Sequence, residues 1–90
     1  MCICILDGNV IENKEMLHDI LADSLGFPDW YGRNLDALHD CLTDVRKETE
    51  IQLRNEGGLA AHLGNYAAAL KKVLAVSAEE NDRIKYIIEG

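Results

Sequence analysis

Basic residues are scarce in this chain. Nine Lys and Arg stand against 16 Asp and Glu among its 90 residues, which gives a formal net charge of −7. Such a surface repels nucleic acid and anionic membranes and attracts cationic proteins. The charge balance therefore argues against direct nucleic-acid or membrane binding and favours a basic protein partner.

Long apolar runs are also absent. No stretch approaches the length of a membrane span, and the N-terminal run at residues 1–6 is too short for the apolar core of a signal peptide. Linkers, repeats and low-complexity segments are missing, while apolar residues make up 48% of the sequence. We expect one globular domain, residues 1–90, in the cytoplasm.

Cysteine occurs three times, at Cys2, Cys4 and Cys41. An odd count without a signal peptide predicts free thiols in a reducing compartment. Cys2 and Cys4 lie on one face of a predicted strand, but no second Cys/His pair accompanies them at a usual metal-ligand spacing. We therefore expect three reduced, largely buried thiols, and neither a metal nor another cofactor.

Apolar periodicity and capping residues predict alternating strands and helices. In the first half of the chain we expect a strand at Met1–Leu6, a helix capped by Asn13 and ending at Leu25, and a helix capped by Asn34 from Leu35 to about Val45. A strand at Thr49–Arg54, a turn at Asn55–Gly58 and a short helical piece at Leu59–Leu63 follow. The chain then forms a helix capped by Asn65 to about Glu80, with Tyr66, Leu70, Val73, Leu74 and Ala78 inward, and a strand at Ile84–Glu89. Strands joined by helical crossovers are normally parallel. The sequence predicts an α/β fold in which a three-stranded parallel sheet packs with three to four helices. The first strand, the most uniformly apolar, is expected at the centre.

Three of the five aromatic residues, Phe27, Trp30 and Tyr31, lie in a short loop before the second helix. Adjacent side chains of an extended loop point in roughly opposite directions. We therefore expect one ring of the Trp30–Tyr31 pair in the core and the other exposed. Exposed loop aromatics are typical anchors of protein interfaces.

The second helix carries Asp36, Asp40 and Asp44 at i, i+4 and i+8, which stacks three like charges on one face. Each such pair destabilises an isolated helix by about 0.2–0.5 kcal/mol. A solvated helix face in an acidic protein is the plain interpretation. Beside the aromatic loop, however, the row is better interpreted as a binding surface for something basic.

The stretch Trp30-Tyr-Gly-x-Asn-Leu-Asp-Ala-Leu-x-Asp-Cys-Leu-Thr43 resembles the signature of the barstar family, intracellular inhibitors of barnase-type ribonucleases. The Leu17-His18 pair, the Phe27-Pro28 approach to the loop and the Ile-rich last strand are similar as well. The resemblance implies a barstar-like fold and an inhibitor that is a monomer when free. It also implies that the second helix and the preceding loop block the active site of a basic ribonuclease.

In that comparison the Asp40 carboxylate replaces an RNA phosphate among the cationic groups of the enzyme, and Asp36 supports it from one turn earlier. Trp30 takes the position of the family's stacking aromatic. The resemblance implies these partner-binding residues: Trp30, Gly32, Asn34, Leu35, Asp36, His39, Asp40, Thr43 and Val76. Two positions depart from the pattern. His39 stands where relatives usually carry an aromatic residue. Val76 stands at the position of an acidic contact residue of the family, although a one-residue gap in the comparison brings Glu79 nearer to that position.

Parts of the sequence are compatible with two other functions. The His18-Asp19 and His39-Asp40 dyads resemble those of metal-dependent phosphohydrolases, but such sites need several long helices of a larger, all-helical domain. We therefore expect that the chain is not an enzyme. A barstar-like adaptor that binds another basic protein without inhibiting a nuclease stays open, because a fold and a patch do not fix the partner.

Overall fold

The computed structural model describes residues 1–89 and contains three strands and four helices. In chain order they are β1 (Cys2–Asp7), α1 (Lys14–Leu25), α2 (Leu35–Thr43), β2 (Thr49–Arg54), α3 (Glu56–Leu63), α4 (Asn65–Glu80) and β3 (Ile84–Glu89). Both strand pairs are parallel. The predicted α/β fold with a three-stranded parallel sheet and three to four helices is confirmed, and so are the bounds of β2 and β3.

The sheet has the order β1–β2–β3, so the prediction that β1 is the central strand was wrong. The buried residues of all three strands fall on one face of the sheet, where Cys4, Ile51 and Tyr86 are in register. On the other face Ile3 and Ile5 remain 51% and 43% exposed. The prediction assumed that a uniformly apolar strand is buried on both faces of the sheet. β1 is instead buried on one face only.

The core lies between the buried sheet face and the helices. Each long helix contributes leucines spaced four residues apart, which places them on one side of the helix. The fully buried large side chains are Leu6, Ile11, Leu17, His18, Leu21, Leu38, Leu42, Ile51, Leu53, Leu59, Leu70 and Leu74. Burying a Leu or Ile side chain contributes about 1.5–3 kcal/mol, so this layer is the main source of stability.

The predicted turn at Asn55–Gly58 was wrong, because α3 begins at Glu56. Gly58 packs against the backbone that follows β1. A Cβ built on Gly58 would lie 2.6 Å from Asn9 Oδ1 and 2.9 Å from the Gly8 carbonyl oxygen. This close approach needs glycine, and the helix that makes it overrides the turn preference of the local sequence.

The start of α4 also differs from the prediction. Asn65 is the first helical residue instead of the cap, and Gly64 precedes it with φ 58°. The Gly64 N–H donates to the Ala60 carbonyl oxygen at 2.8 Å, so one glycine ends α3 and starts α4. Of the predicted inward residues Leu70 and Leu74 are buried and Tyr66, Val73 and Ala78 are partly buried against the core; Ala67 and Ser77 are buried as well.

All three thiols are free. Cys4 is fully buried, and burial raises its pKa to about 11. Cys2 and Cys41 are partly buried, and the Cys2 thiol donates to the Ser24 carbonyl oxygen at 3.0 Å. The predicted burial is thus confirmed for Cys4 and holds only in part for the other two.

Candidate functional site

The loop at residues 26–34, which we call the aromatic loop, starts where Gly26 ends α1. Gly26 has φ 68°, a conformation that glycine adopts without strain, and its N–H donates to a carbonyl in the last turn of α1. Phe27 N–H donates to the same carbonyl, and Tyr31 N–H donates to the Pro28 carbonyl oxygen, both at 3.0 Å. These bonds give the aromatic loop a defined path towards α2.

Trp30 and Tyr31 point in opposite directions, as predicted. Trp30 is 82% exposed, whereas Tyr31 is 6% exposed. The Tyr31 ring packs on Phe27, with ring centroids 4.8 Å apart. The core therefore anchors the aromatic loop through Tyr31 and leaves the Trp30 ring on the surface.

His18 of α1 ties the aromatic loop to α4. It is 1% exposed, and its Nδ1 shares a hydrogen bond of 2.6 Å with the Tyr31 hydroxyl. Its Nε2 shares one of 2.8 Å with the Tyr66 hydroxyl. Burial lowers the pKa of His18, an effect to which the Arg33 charge adds, and burial raises the pKa of Tyr31. The network is therefore built for a neutral imidazole, and both ring nitrogens are occupied by tyrosines.

Arg33 and Asn34 fix the junction between the aromatic loop and α2. Arg33 has φ 56°, and its guanidinium pairs with Asp19 and donates to the Glu15 carbonyl oxygen at 3.1 Å on α1. Asn34 Oδ1 accepts from the Ala37 N–H at 2.8 Å, which confirms Asn34 as the N-cap of α2. Both contacts hold the first turn of α2 in place.

The acidic face of α2, defined as Asp36, Asp40 and Asp44, is exposed. Leu38 and Leu42 are buried on the opposite side, which fixes this orientation. Among residues 1–89 none of the three carboxylates forms a hydrogen bond or an ion pair. The fold therefore leaves their charge to solvent or to a partner.

His39 turns from α2 towards α4. Its Nε2 lies 2.7 Å from Glu80 Oε1, and this hydrogen bond, together with the charges of Glu80, Asp40 and Asp36, raises the pKa of His39. The side chain of Glu80 is 54% exposed. The pair places a fourth carboxylate at the edge of the acidic face.

The ends of α2 and α4 are also joined. Asn81, the C-cap of α4, donates through Nδ2 to the Leu42 and Val45 carbonyl oxygens at 3.0 and 2.9 Å, where α2 ends. The C-terminal ends of the two helices therefore lie side by side, and Val76 lies one turn before Glu80 on α4. Val76 is 37% exposed.

The nine predicted partner-binding residues differ in exposure. Trp30, Gly32, Asn34, Asp36, Asp40, Thr43 and Val76 are exposed, whereas Leu35 and His39 are partly buried. Eight of them lie on the aromatic loop and α2, and Val76 lies on α4. Gly32 is close-packed, because a Cβ there would lie 3.1 Å from Ala37 Cβ. The hydroxyl of Thr43 donates to the His39 carbonyl oxygen at 2.9 Å.

Three residues of this region have roles that were not predicted from the sequence pattern, namely Arg33, Tyr66 as a hydrogen-bonding group and Glu80. A positive φ at Arg33 has no signal in the sequence, because arginine is not a residue that favours it. Glu80 did have a signal. It follows Val76 by four residues, and that spacing puts both side chains on one side of a helix.

The fold and the exposed acidic and aromatic groups are those of a small protein-binding module. A comparison with protein families agrees, because the family model described as Barstar (barnase inhibitor) matches residues 1–89. A Bacillus subtilis (strain 168) protein named "Putative ribonuclease inhibitor YrdF" is 48% identical over 87 residues, which cover 94% of this chain and 96% of that relative.

The chain belongs to the barstar family. The resemblance seen in the sequence is thus confirmed. The family is one of inhibitors, in agreement with the prediction that the chain is not an enzyme. Within residues 1–89 no helix has both the length and the apolar character that crossing a membrane requires.

Proposed function

We propose that this chain inhibits a basic ribonuclease of the barnase type by filling its active site with the acidic face of α2 and the aromatic loop. One observation carries the proposal. Asp36 and Asp40 are exposed without a partner among residues 1–89, on the same loop–helix unit as the 82% exposed Trp30. A protein has little structural reason to combine repelling carboxylates with an exposed tryptophan, but a binding surface has one.

Asp40 has the central role in this mechanism. A nuclease that cleaves RNA concentrates Arg, Lys and His groups where the phosphate sits, and a carboxylate placed there makes strong charge-assisted hydrogen bonds. Asp36 adds charge one turn earlier, and Trp30 stacks on a side chain at the rim. Gly32 and Asn34 contribute backbone and amide contacts. The barnase–barstar pair itself is the standard example of charge coupling between carboxylates and the cationic groups of a ribonuclease.

The edge of the surface differs from the family pattern in a way that affects specificity. Leu35 and Thr43 border the acidic face, and His39 occupies a position where relatives usually carry an aromatic residue. Val76 brings no charge, but Glu80 beside His39 supplies a carboxylate at the same edge. We propose that this edge selects which ribonuclease the chain binds.

The buried network under the aromatic loop contributes through preorganisation. His18, Tyr31 and Tyr66 hold the loop before any partner arrives. A loop that is already ordered loses less conformational entropy on binding, which raises affinity. The proposal therefore predicts tight binding without a large rearrangement of the inhibitor.

The test is inhibition of RNA cleavage by a panel of small basic microbial ribonucleases. We expect activity of at least one enzyme to fall linearly to zero at a 1:1 ratio and a mononucleotide to compete with the inhibitor. Asp40→Ala should abolish this inhibition. The exposed Glu12 precedes α1 and belongs neither to α2 nor to the aromatic loop, so Glu12→Ala is the control for loss of one negative charge.

The adaptor alternative gives a different result in the same assay. An adaptor would bind a basic protein while every ribonuclease in the panel kept its activity. A ribonuclease that is bound but fully active, with the mononucleotide still able to enter, would also overturn the proposed mechanism.

A further inference from the structure

A surface groove of about 300 Å³ lies on the flank of α2 that faces away from His39. Leu25, Phe27 and Trp30 form one wall and Cys41, Asp44 and Val45 form the other. At 100° per residue, Cys41 and His39 lie on opposite flanks of the helix, with the acidic face between them. The groove therefore continues the proposed binding surface from Trp30 onto a flank of α2 whose residues, Cys41, Asp44 and Val45, are not among the nine predicted partner-binding residues.

The groove combines apolar walls with a single carboxylate. Asp44 forms no hydrogen bond through its side chain and no ion pair within the described chain. It is also the C-cap of α2, where the helix dipole disfavours a negative charge. Neither the helix nor the core gains from this carboxylate, whereas an apolar slot with an aromatic face and one acid suits a cation on an aliphatic stem.

The size of the groove decides what it can hold. Small-molecule sites usually measure about 300–1,000 Å³, so this groove is at the lower limit and suits one long side chain better than a cofactor. A second groove beyond Val45 shares Leu25, Asp44 and Val45 with the first, but it is also lined by Arg46 and Lys47, which repel a cation. A positive head group is therefore directed to the end at Trp30 and Asp44.

We propose that the groove receives one arginine or lysine side chain of the protein partner. The aliphatic stem lies between Leu25 and Val45, and the cationic head lies over Trp30 and against Asp44. This inference rests on the proposed function for the identity of the partner, because a basic ribonuclease supplies the side chain. It adds a second anchoring point, separate from the phosphate-like role of Asp40.

The first test needs no ribonuclease. Trp30 is the only tryptophan in the chain, so its fluorescence reports directly on the groove. Titration with arginine amide should change the emission with saturation, and citrulline amide, which keeps the α-amino group but has a neutral side chain, should not. Asp44→Ala should remove the response, and Glu12→Ala should keep it. An identical response of wild type and Asp44→Ala, or none in wild type, would overturn the inference.

The second test measures affinity for the inhibited ribonuclease. Asp44→Ala removes the carboxylate, and Val45→Phe fills the groove without changing the charge. We expect each to weaken binding by about 3- to 30-fold. The double variant should bind with about the same affinity as the single variant that binds more weakly, because both changes disable the same subsite. Thermal melts confirm that each variant is folded.

The outcomes separate this inference from the proposed function. If both groove variants bind like wild type while Asp40→Ala fails, the groove proposal is wrong and the inhibitor mechanism stands. If arginine amide binds through Asp44 but no ribonuclease is inhibited, the groove stands and the inhibitor proposal is wrong.

Discussion

At the scale of single residues, Asp40 lies exposed on α2 between two other aspartates. The residues three and four positions away are Asp36, Ala37, Thr43 and Asp44, so no positive side chain balances it on the helix. Apart from its contribution to the raised pKa of His39, local structure gains nothing from this charge, and a partner can gain much. We therefore expect stability and binding to separate most clearly at Asp40.

We predict that Asp40→Ala keeps or slightly raises stability and weakens binding to the cognate ribonuclease strongly. Removing the charge relieves repulsion, and alanine favours the helix. In the complex, however, cationic groups would remain unpaired in a desolvated pocket, at a cost of several kcal/mol. Calorimetry paired with thermal melts measures both effects.

Asp44→Ala is the comparison within the same helix. It removes the same group at the end of α2, farther along the helix, so the loss of affinity for the ribonuclease should be much smaller than for Asp40→Ala. Equal, small losses for both variants would mean that Asp40 is an ordinary surface charge.

The thiols give a second prediction at this scale. Cys4 should react with a thiol reagent far more slowly than Cys2 and Cys41, because it is 0% exposed and its pKa is raised to about 11 by burial. Mass spectrometry of the native protein after short labelling times identifies the modified sites. Early modification of Cys4 would contradict the burial described above.

At the scale of elements, the aromatic loop depends on two helices that are distant in sequence. His18 on α1 holds the Tyr31 hydroxyl and is itself held by Tyr66 on α4, and Arg33 reaches back to Asp19 of α1. The exposed Trp30 is therefore positioned by residues it does not touch. Loosening this support should affect the loop before it affects the sheet.

Tyr31→Phe should destabilise the protein by about 1–3 kcal/mol, because it leaves a buried nitrogen of His18 without its partner. Tyr66→Phe is the matched control. Tyr66 is less buried than Tyr31, so water can replace its hydroxyl and the loss should be smaller. Urea unfolding followed by Trp30 fluorescence measures both variants, and equal stabilities for Tyr31→Phe and wild type would exclude the supporting role.

His18 also predicts a pH dependence of stability. Its pKa in the folded state is lower than the ordinary value of 6.5, so its contribution is fully present above pH 6.5 and is lost as pH falls through the folded-state pKa. His39 acts in the opposite direction, because its raised pKa favours the folded state at low pH. Unfolding of wild type and His39→Asn between about pH 7.5 and 5.5 should show the loss more strongly in the variant. If His39→Asn were more stable at about pH 5.5 than at about pH 7.5, this prediction would be contradicted.

At the scale of the whole molecule, net charge and the unpaired acidic face act together. A net charge of −7 attracts a basic partner over distances comparable with the Debye length. Specific contacts then decide how long the complex lasts. Long-range charge should therefore control association, and local contacts should control dissociation.

The association rate with the cognate ribonuclease should fall markedly as ionic strength rises from about 0.05 to 0.5 M, while the dissociation rate changes less. Stopped-flow mixing at several salt concentrations measures both. Glu12→Ala should lower the association rate slightly without changing dissociation. An association rate that ignores salt would argue against the acidic face as the docking surface.

Much of this molecule could be predicted from the sequence because its signals are local. Asn13 and Asn34 cap the helices that they were expected to cap, and β2 has the predicted bounds. Helical periodicity also predicts the outward row of Asp36 and Asp40, since four-residue spacing fixes a face without knowledge of neighbours. Capping and periodicity act within a few residues, which is why the sequence by itself determined these elements and the acidic face.

The tertiary structure decided what depends on distant contacts. β2 takes the central position in the sheet, and α3 starts early because Gly58 packs on Gly8. The pairs His39–Glu80 and His18–Tyr66 join residues 41 and 48 positions apart, and no local preference encodes them. Such contacts form only when burial of apolar surface brings the helices together. The sequence thus determined the acidic face, and the packed fold decided how rigidly that face is held and what borders it.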